Sequence, residues 1–323
     1  MADGYGDARL AQALGDVVGA GNVRANERVA RHTTWRVGGP AALLCVAHDA
    51  RALARTVEFV REAGVPWLVL GRGSNVLVDD AGLDGVVILN RAAGLCIEGT
   101  AVHAESGVLL SVLARQTAAR GLVGLEWCHD IPGTLGGAVV NNAGANGGAI
   151  ADVLRSARVL PAGEPPRTLD ASALAFAYRH SALRCEVAVP AGTRPVLLDA
   201  RFDLQPGDAG QIRQRMAAQR ERRKATQPGG ASAGSVFKNP PIESAGRLVE
   251  SVGLKGARCG DAAISTLHAN FIVTGPRATA ADVLALIALM RRRVRAHRSV
   301  DLEPEVQFVQ RDGCIGPPAE DVS

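Results

Sequence analysis

Two glycine-rich stretches are the first places in this sequence where residue types and spacing suggest chemistry. Residues 70–80 (LGRGSNVLVDD) place Gly71 and Gly73 at the G-x-G spacing that also opens dinucleotide-binding fingerprints. Such a fingerprint needs a helix after the loop, whereas the VLV that follows is β-branched and apolar and predicts a second strand. The stretch therefore predicts a strand–loop–strand unit in which Ser74, Asn75 and backbone N–H groups can surround a phosphate. An ordinary hairpin turn is the alternative on this stretch alone.

The second stretch, residues 124–148, holds seven glycines in 25 residues. Its centre reads PGTLGG (residues 132–137) and supplies many backbone N–H donors that no Cβ shields. The two stretches lie about 60 residues apart in the chain. Together they indicate opposite walls that grip one extended diphosphate ligand.

The composition is that of a globular chain, with 47% hydrophobic residues, 21% charged residues and a formal net charge of +4. A length of 323 residues predicts two or three domains with sizeable cores. No apolar run reaches the roughly 18 residues that cross a bilayer, and Met1–Tyr5 lacks the layout of a secretory signal. We therefore predict a cytoplasmic protein that does not insert into a membrane.

The cysteines are dispersed and form no C-x-x-C pair, a pattern that fits neither a zinc site nor a disulfide framework. We predict reduced, mostly buried thiols and no metal site. The six positions are Cys45, Cys96, Cys128, Cys185, Cys259 and Cys314.

A basic cluster lies on a stretch of helical character before the turn at residues 227–230. A solvated helix face, a site for a small polyanionic ligand and nucleic-acid binding are the three interpretations. The segment lacks interleaved aromatic residues, so we predict no nucleic-acid partner. The cluster consists of Arg213, Arg215, Arg220, Arg222, Arg223 and Lys224.

Hydrophobic periodicity gives a coarse map of the elements that must position these stretches. Thr279 and Asp282 form a capping-box pattern at the start of the longest helix. Helices are predicted over 8–20, 49–64, 107–120, 208–224, 243–252 and from 279 onward; strands are predicted over 66–70, 76–78, 86–89, 270–274 and 301–310, with further strand-like segments in 155–205.

Seven motifs together resemble the UDP-N-acetylenolpyruvoylglucosamine reductase family over residues 30 to 310. In chain order they read TTWRVGGPA, LGRGSNVLV, IPGTLGGAVVNNAGA, YRHSAL, SAGSVFKNP, GLKGARCGDAAISTLHANFIV and LEPEV. The resemblance implies an α+β fold: a two-lobed FAD-binding domain of the vanillyl-alcohol-oxidase type plus a smaller α/β substrate-binding domain. It also implies the division 1–207 for FAD and 208–300 for substrate, with 301–323 returning to the active site.

The resemblance implies an enzyme that reduces UDP-N-acetylglucosamine enolpyruvate to UDP-N-acetylmuramate for peptidoglycan synthesis, with non-covalent FAD as cofactor and NADPH as co-substrate. Arg179 would stabilise the enolate, Ser235 would protonate the intermediate and Glu305 would assist proton delivery. Glu303 and Glu305 alternate onto one face of the predicted strand, so spacing alone does not choose between them.

The resemblance also implies the binding residues. The FAD contacts would be Arg36, Gly71, Gly73, Ser74, Asn75, Pro132, Gly133, Thr134, Gly136 and Gly137. The substrate contacts would be Tyr178, Arg223, Lys238, Asn239 and His268, with a structural role as the alternative for His268.

The chain between Arg179 and the basic helix is short, which resembles the compact variety of the family without a tyrosine-bearing substrate loop. We expect a monomer that takes only small-molecule substrates, with NADPH and the sugar nucleotide using one pocket in turn. Two rival functions stay open: another FAD-dependent oxidoreductase of the same fold, and a non-catalytic protein that binds nucleotide sugars or nucleic acid.

Overall fold

The computed structural model of the chain describes residues 8–185 and 187–319. The prediction that no secretory signal is present rests on Met1–Tyr5, which lie outside these ranges. Residues 320–323, the end of the segment predicted to return to the active site, also lie outside them. The helices are α1 Ala8–Val18, α2 Ala50–Glu62, α3 Leu110–Ala119, α4 Leu135–Val140, α5 Ala209–Thr226, α6 Ala245–Ser251 and α7 Ala280–Arg298. The first ten strands are β1 Val23–Arg28, β2 Pro40–Ala47, β3 Trp67–Leu70, β4 Val76–Val78, β5 Leu83–Asn90, β6 Leu95–Glu98, β7 Ala101–Glu105, β8 Leu122–Val123, β9 Gly144–Ala145 and β10 Gly148–Ala149. The others are β11 Leu154–Leu160, β12 Arg167–Asp170, β13 Val196–Asp203, β14 Gln205–Pro206, β15 Arg258–Cys259, β16 Ala262–Ile264, β17 Ile272–Thr274, β18 Gln307–Val309 and β19 Ile315–Gly316.

The first lobe is a four-stranded sheet in the order β1-β2-β5-β3, with β2, β5 and β3 parallel. Its central strand β5 is a nearly continuous buried run, as expected for a parallel strand covered on both faces. Helix α2 packs Leu53, Val57 and Val60 into this core, and the side chain of Asp49 caps its N-terminus by accepting from Ala52 N at 2.7 Å.

The second lobe is a five-stranded sheet in the order β12-β11-β13-β7-β6, antiparallel throughout. Leu113 of α3 and Leu135 of α4 join Phe202 of β13 in one hydrophobic core. The second glycine stretch thus lies on a packed helix–sheet layer. Mixed parallel and antiparallel sheets with helices confirm the predicted α+β class.

A three-stranded sheet, β15-β16-β17, is antiparallel and packs against α6 and α7. The capping box predicted at Thr279 and Asp282 is confirmed, with Asp282 N donating to Thr279 Oγ1 at 3.1 Å. Buried Trp35 connects this region to the first lobe, because its Nε1 donates to the Ile272 carbonyl at 2.9 Å. The indole therefore fixes how the TTWR loop meets β17.

The prediction of one strand over residues 301–310 is wrong, since only β18 (307–309) is a strand. Pro304 has no N–H to donate to a ladder. Residues 303–305 instead run beside 236–238, with Glu305 N donating to Val236 O at 2.8 Å and Lys238 N to Glu303 O at 2.9 Å. Strand β18 then pairs in parallel with β4 from the first glycine stretch.

Two other expectations need correction. Residues 135–140 form the short helix α4, which was not predicted because their glycines suggested a loop. Strands β1 and β2 were not predicted either. The six cysteines are free thiols, yet only Cys45 and Cys128 are buried, so the expectation of mostly buried thiols is wrong. Within the described residues, no helix is long and apolar enough to cross a membrane.

Candidate active site

The two glycine loops face each other at van der Waals distance. A Cβ on Gly71 would lie 2.2 Å from Thr134 Oγ1, so the first loop touches the second where Gly71 lacks a side chain. Gly73 has a φ of +61°, and a Cβ there would lie 2.5 Å from the His32 carbonyl oxygen. The first loop follows β3 and precedes β4, which confirms the strand–loop–strand prediction.

The second loop is held by the edge of the second lobe. Leu135 N donates to Val108 O at 2.9 Å, and Gly136 N donates to Ser106 O at 2.7 Å. Gly137 is different, because a Cβ there would meet no heavy atom within 4 Å. Its bare backbone lies on a cavity wall and leaves room for a ligand to approach.

A cavity of about 400 Å³ lies between the loops and adjoins a cleft of about 1150 Å³. The residues that line both spaces are Arg72, Pro132, Arg223, Gln227, Gly234 and Phe271. A narrow channel with apolar walls and facing glycine backbones, open to a wider cleft, fits a long dinucleotide such as FAD. The predicted residues that line the smaller cavity are Gly71, Gly73, Ser74, Asn75, Pro132, Gly133, Thr134, Gly136, Gly137, Arg179, Arg223, Ser235 and Glu305.

Gly73→Ala is expected to weaken FAD binding. The left-handed backbone costs an alanine roughly 1–2 kcal/mol, and the new Cβ overlaps the backbone at His32. We expect the Kd for FAD to rise at least about tenfold, which corresponds to about 1.4 kcal/mol. Fluorescence titration of the apoprotein with FAD measures it.

Gly163→Ala is the matched control for that substitution. Gly163 also has a positive φ, +70°, but no atom lies within 4 Å of its Cβ position, in the turn between β11 and β12. The control is expected to lose some stability and keep its FAD affinity. Equal FAD affinity in both variants and the unsubstituted protein would mean that the first loop does not hold the cofactor.

Arg179 sits in a strained backbone conformation at the cavity wall. Its φ is +55°, a region that few non-glycine residues occupy and that often marks functional positions. Its Nε lies 3.0 Å from Glu305 Oε1, and its Nη2 donates to the Gly144 carbonyl at 2.9 Å. The guanidinium of Arg179 therefore lies beside the Glu305 carboxyl group and is anchored to β9 by its hydrogen bond to Gly144.

Ser235 lies on a loop that a buried asparagine holds in place. Asn270 is 2% exposed, its Oδ1 accepts from Phe237 N at 3.0 Å, and its Nδ2 donates to Phe237 O at 2.9 Å. Its backbone carbonyl also accepts from Val236 N at 2.9 Å. The sequence reasoning missed Asn270, although the HANF motif contained it.

Glu305 and Glu303 have different surroundings, although both alternate with the buried residues Leu302, Pro304 and Val306, as the expectation of a shared face requires. Glu305 is 17% exposed and faces Arg179 in the cavity, whereas Glu303 is 61% exposed and pairs with Lys238. Burial raises the pKa of Glu305, and the cations of Arg179, Arg184 and Lys238 oppose part of that rise.

Five predicted residues do not line the smaller cavity. Arg36 lines the adjoining cleft, with a φ of +56°. Tyr178 is exposed, and its hydroxyl accepts from Asn239 N at 3.3 Å beside Lys238 at the rim. His268 packs on the Phe271 ring, and burial lowers its pKa, which favours the structural alternative for this residue.

The adjoining cleft is strongly basic, because seven of its 21 lining residues are arginine or lysine and one is a carboxylate. The sequence reasoning predicted only two of these cations, Arg36 and Arg223, as ligand contacts. The basic side chains along this cleft are Arg31, Arg36, Arg72, Arg91, Arg220, Arg223 and Lys224. Three members of the basic cluster on helix α5, Arg220, Arg223 and Lys224, therefore line this cleft. Arg215 on the same helix instead pairs with Glu126 at 2.9 Å.

Comparison with known proteins agrees with this geometry. A family model described as FAD binding domain matches residues 40–164, and one described as UDP-N-acetylenolpyruvoylglucosamine reductase, C-terminal domain, matches residues 226–309. The reductase of that name from Chloroflexus aurantiacus is 43% identical, and the match covers 88% of this chain and 96% of the relative. The one from Halalkalibacterium halodurans is 40% identical, and the match covers 90% of this chain and 95% of the relative.

A solved structure of the same kind has the same fold. The crystal structure of UDP-N-acetylenolpyruvylglucosamine reductase from Thermus caldophilus superposes with a TM-score of 0.74 at 37% identity, covering 88% of this chain and 99% of that one. The relatives are matched over nearly their whole length, and both glycine loops and the Arg179–Glu305 pair occupy one cavity. This chain belongs to the UDP-N-acetylenolpyruvoylglucosamine reductase family.

Proposed function

We propose that this chain is an NADPH-dependent, FAD-containing reductase that converts UDP-N-acetylglucosamine enolpyruvate to UDP-N-acetylmuramate in peptidoglycan precursor synthesis. One observation carries the proposal: Arg179, Ser235 and Glu305 line the same cavity as the two glycine loops. A cation, a hydroxyl and a buried carboxyl group then face the place where a flavin held by those loops would meet a substrate.

The backbones of the two glycine loops, that of Asn75 included, would hold the diphosphate of FAD, with the Ser74 hydroxyl adding a side-chain hydrogen bond. FAD bound there would supply the chemistry of hydride transfer between NADPH and the enolpyruvyl double bond. Hydride addition to one carbon of that bond puts negative charge on the neighbouring carbon and on its carboxylate. The protein must stabilise this charge and deliver a proton.

Arg179 meets the first requirement. Its guanidinium is preoriented by Glu305 and the Gly144 carbonyl, so little reorganisation is needed when the enolate charge develops. Ser235 meets the second requirement by giving its hydroxyl proton to the substrate carbon. The loop that carries it is pinned by Asn270, which keeps the weak acid against a strongly basic carbanion.

Glu305 assists in its protonated form. Burial raises its pKa, so the carboxyl group keeps its proton to a higher pH than an exposed glutamate does. We propose that it donates a hydrogen bond to the substrate carboxyl group or replaces the proton that Ser235 gives up. The contact between the protonated Glu305 and Arg179 would then loosen as the substrate carboxylate pairs with the guanidinium.

The rate of the second half-reaction is expected to fall as the pH rises through the raised pKa of Glu305, because the required proton is present only below that pKa. Glu305→Gln should slow this half-reaction and remove that descending limb. Stopped-flow measurement of flavin reoxidation across a pH series tests it, with flavin reduction by NADPH as the internal control. An unchanged descending limb in Glu305→Gln would assign the titration to another group.

NADPH and the sugar nucleotide are proposed to use the same cavity in turn, so each should inhibit competitively against the other. Tyr178, Lys238, Asn239 and the basic cleft would bind the sugar-diphosphate portion outside the reaction centre. The division into 1–207 and 208–300 with a returning segment stays a proposal, which the parallel pairing of β18 with β4 supports. A cytoplasmic location and a monomeric state also stay predictions.

The function is tested by incubating the purified protein with NADPH and UDP-N-acetylglucosamine enolpyruvate. We expect loss of NADPH absorbance matched by formation of UDP-N-acetylmuramate, identified by mass spectrometry. NADPH oxidation that consumes only dioxygen, with the sugar nucleotide recovered unchanged, would favour another oxidoreductase of this fold.

A further inference from the structure

Arg184 is a buried cation that reaches the backbone of the Glu305 segment. It is 7% exposed, its Nη2 donates to the Glu305 carbonyl oxygen at 2.9 Å, and its Nη1 donates to Asn141 Oδ1. Arg184 was not predicted as a site residue, because it lies just beyond the YRHSAL motif. Its partners are nevertheless a proposed catalytic residue and an asparagine of the second glycine stretch.

The same two acceptors also receive hydrogen bonds from the first glycine loop. Asn75 Nδ2 lies 3.2 Å from the Glu305 carbonyl oxygen and 3.3 Å from Asn141 Oδ1. Gln307 N in turn donates to the Asn75 carbonyl at 3.0 Å. Arg184, Asn75 and Asn141 thus form a closed hydrogen-bonded cluster around the Glu305 backbone, which we call the Arg184 cluster.

The cluster joins parts of the chain that are far apart in sequence. Asn75 belongs to the first glycine loop, Asn141 follows α4 of the second, and Glu305 comes from the segment beyond α7. A planar guanidinium can donate to two acceptors in a fixed fork, whereas a lysine ammonium is a single point charge on a flexible stem. Arg184 is therefore suited to set a distance between the loops and the Glu305 backbone.

We propose that Arg184 is a positioning residue for the reduction step, holding Glu305 at a fixed place relative to the two FAD-cradling loops. The inference rests on the proposed function. The cation of Arg184 also faces the Glu305 carboxyl group together with those of Arg179 and Lys238, and it opposes the rise in the pKa of that group. Arg184 thus acts through Glu305 and need not touch the substrate.

The test uses the FAD-loaded variants Arg184→Met and Arg184→Lys in the two half-reactions. We expect flavin reduction by NADPH to stay within about threefold of the unsubstituted protein, while reoxidation by the enolpyruvyl substrate falls roughly 10²-fold in Arg184→Met, as expected when a reacting group is displaced by about 1 Å. Arg184→Lys keeps the charge and loses the fork, so its reoxidation rate should also fall.

The pH profile separates positioning from bulk stability. Removing the cation in Arg184→Met raises the pKa of Glu305, so the descending limb of the reoxidation rate should move to higher pH. In Arg184→Lys the charge remains and the limb should stay in place. FAD retained per chain and the thermal unfolding midpoint are measured alongside, and we expect most of the FAD to be retained in both variants.

Arg61→Met is the matched control, because Arg61 also donates to backbone carbonyls, those of Pro161 and Arg194, but lies outside the Arg184 cluster. It should lose stability and keep both half-reactions. If the unsubstituted protein is reoxidised by the substrate and the Arg184 variants match it, the inference is wrong although the proposed function stands. Equal loss of both half-reactions, or loss of FAD from both variants, would also overturn it in favour of a structural role.

Discussion

Ser235→Ala is expected to slow reoxidation of the NADPH-reduced protein by the enolpyruvyl sugar nucleotide by roughly 10²–10⁴-fold, the usual contribution of a positioned general acid. Flavin reduction by NADPH should stay nearly unchanged, because no substrate carbon is protonated in that step. The substitution removes one oxygen from a loop whose backbone is held by Asn270, so the fold should be retained. Anaerobic stopped-flow measurement of each half-reaction gives both rates.

Ser251→Ala provides the control for that experiment. Ser251 lies at the end of α6, and its hydroxyl donates to the Leu248 carbonyl at 2.8 Å, away from the cavity. Both half-reactions should survive in this variant. Should Ser235→Ala slow the two half-reactions equally, the serine would matter for flavin binding or folding and a different group would supply the proton.

Arg179→Met is expected to lose roughly 10²–10³-fold in the same reoxidation step, as when one preorganised donor to a developing negative charge is removed. Methionine accepts the left-handed backbone no better and no worse than arginine, so the strain at φ +55° is similar in both proteins. The loss should therefore report the missing guanidinium. Single-turnover kinetics and product analysis measure it.

Two further variants sharpen this result. Arg179→Lys restores the charge without the planar fork of the guanidinium and should recover part of the rate. Arg155→Met breaks a surface pair with Asp203, in the second lobe, and should leave both half-reactions intact. A full reoxidation rate in Arg179→Met would show that the guanidinium does not stabilise the developing negative charge.

Local backbone chemistry made the glycine loops predictable. The strand–loop–strand unit around Gly73 could be predicted from the sequence because β-branched residues flank the loop and glycine tolerates a positive φ. At Gly71 the requirement is space, because the side chain of Thr134 lies where a Cβ would be. The helix α4 was harder to predict because three of its positions pack against the second lobe while its glycines suggested a loop.

The polar partners of the site depend on contacts between distant parts of the chain. Asn270 and Arg184 are single buried residues whose roles arise only when residues 75, 141, 237 and 305 are brought together. The difference between Glu303 and Glu305 depends on tertiary contacts, Arg179 with Glu305 and Lys238 with Glu303, which alternation in the sequence does not encode. Motif resemblance selected Glu305 over Glu303, and the structure places Glu305 on the cavity wall.

Anaerobic reoxidation in a single turnover tests whether the reduced flavin passes its electrons to the enolpyruvyl sugar nucleotide. The purified protein is reduced with one equivalent of NADPH until the flavin bands bleach, and UDP-N-acetylglucosamine enolpyruvate is then added without oxygen. We expect the flavin absorbance to return, with one UDP-N-acetylmuramate formed for each FAD. A flavin that stays bleached until air is admitted, with the sugar nucleotide unchanged, would contradict the account.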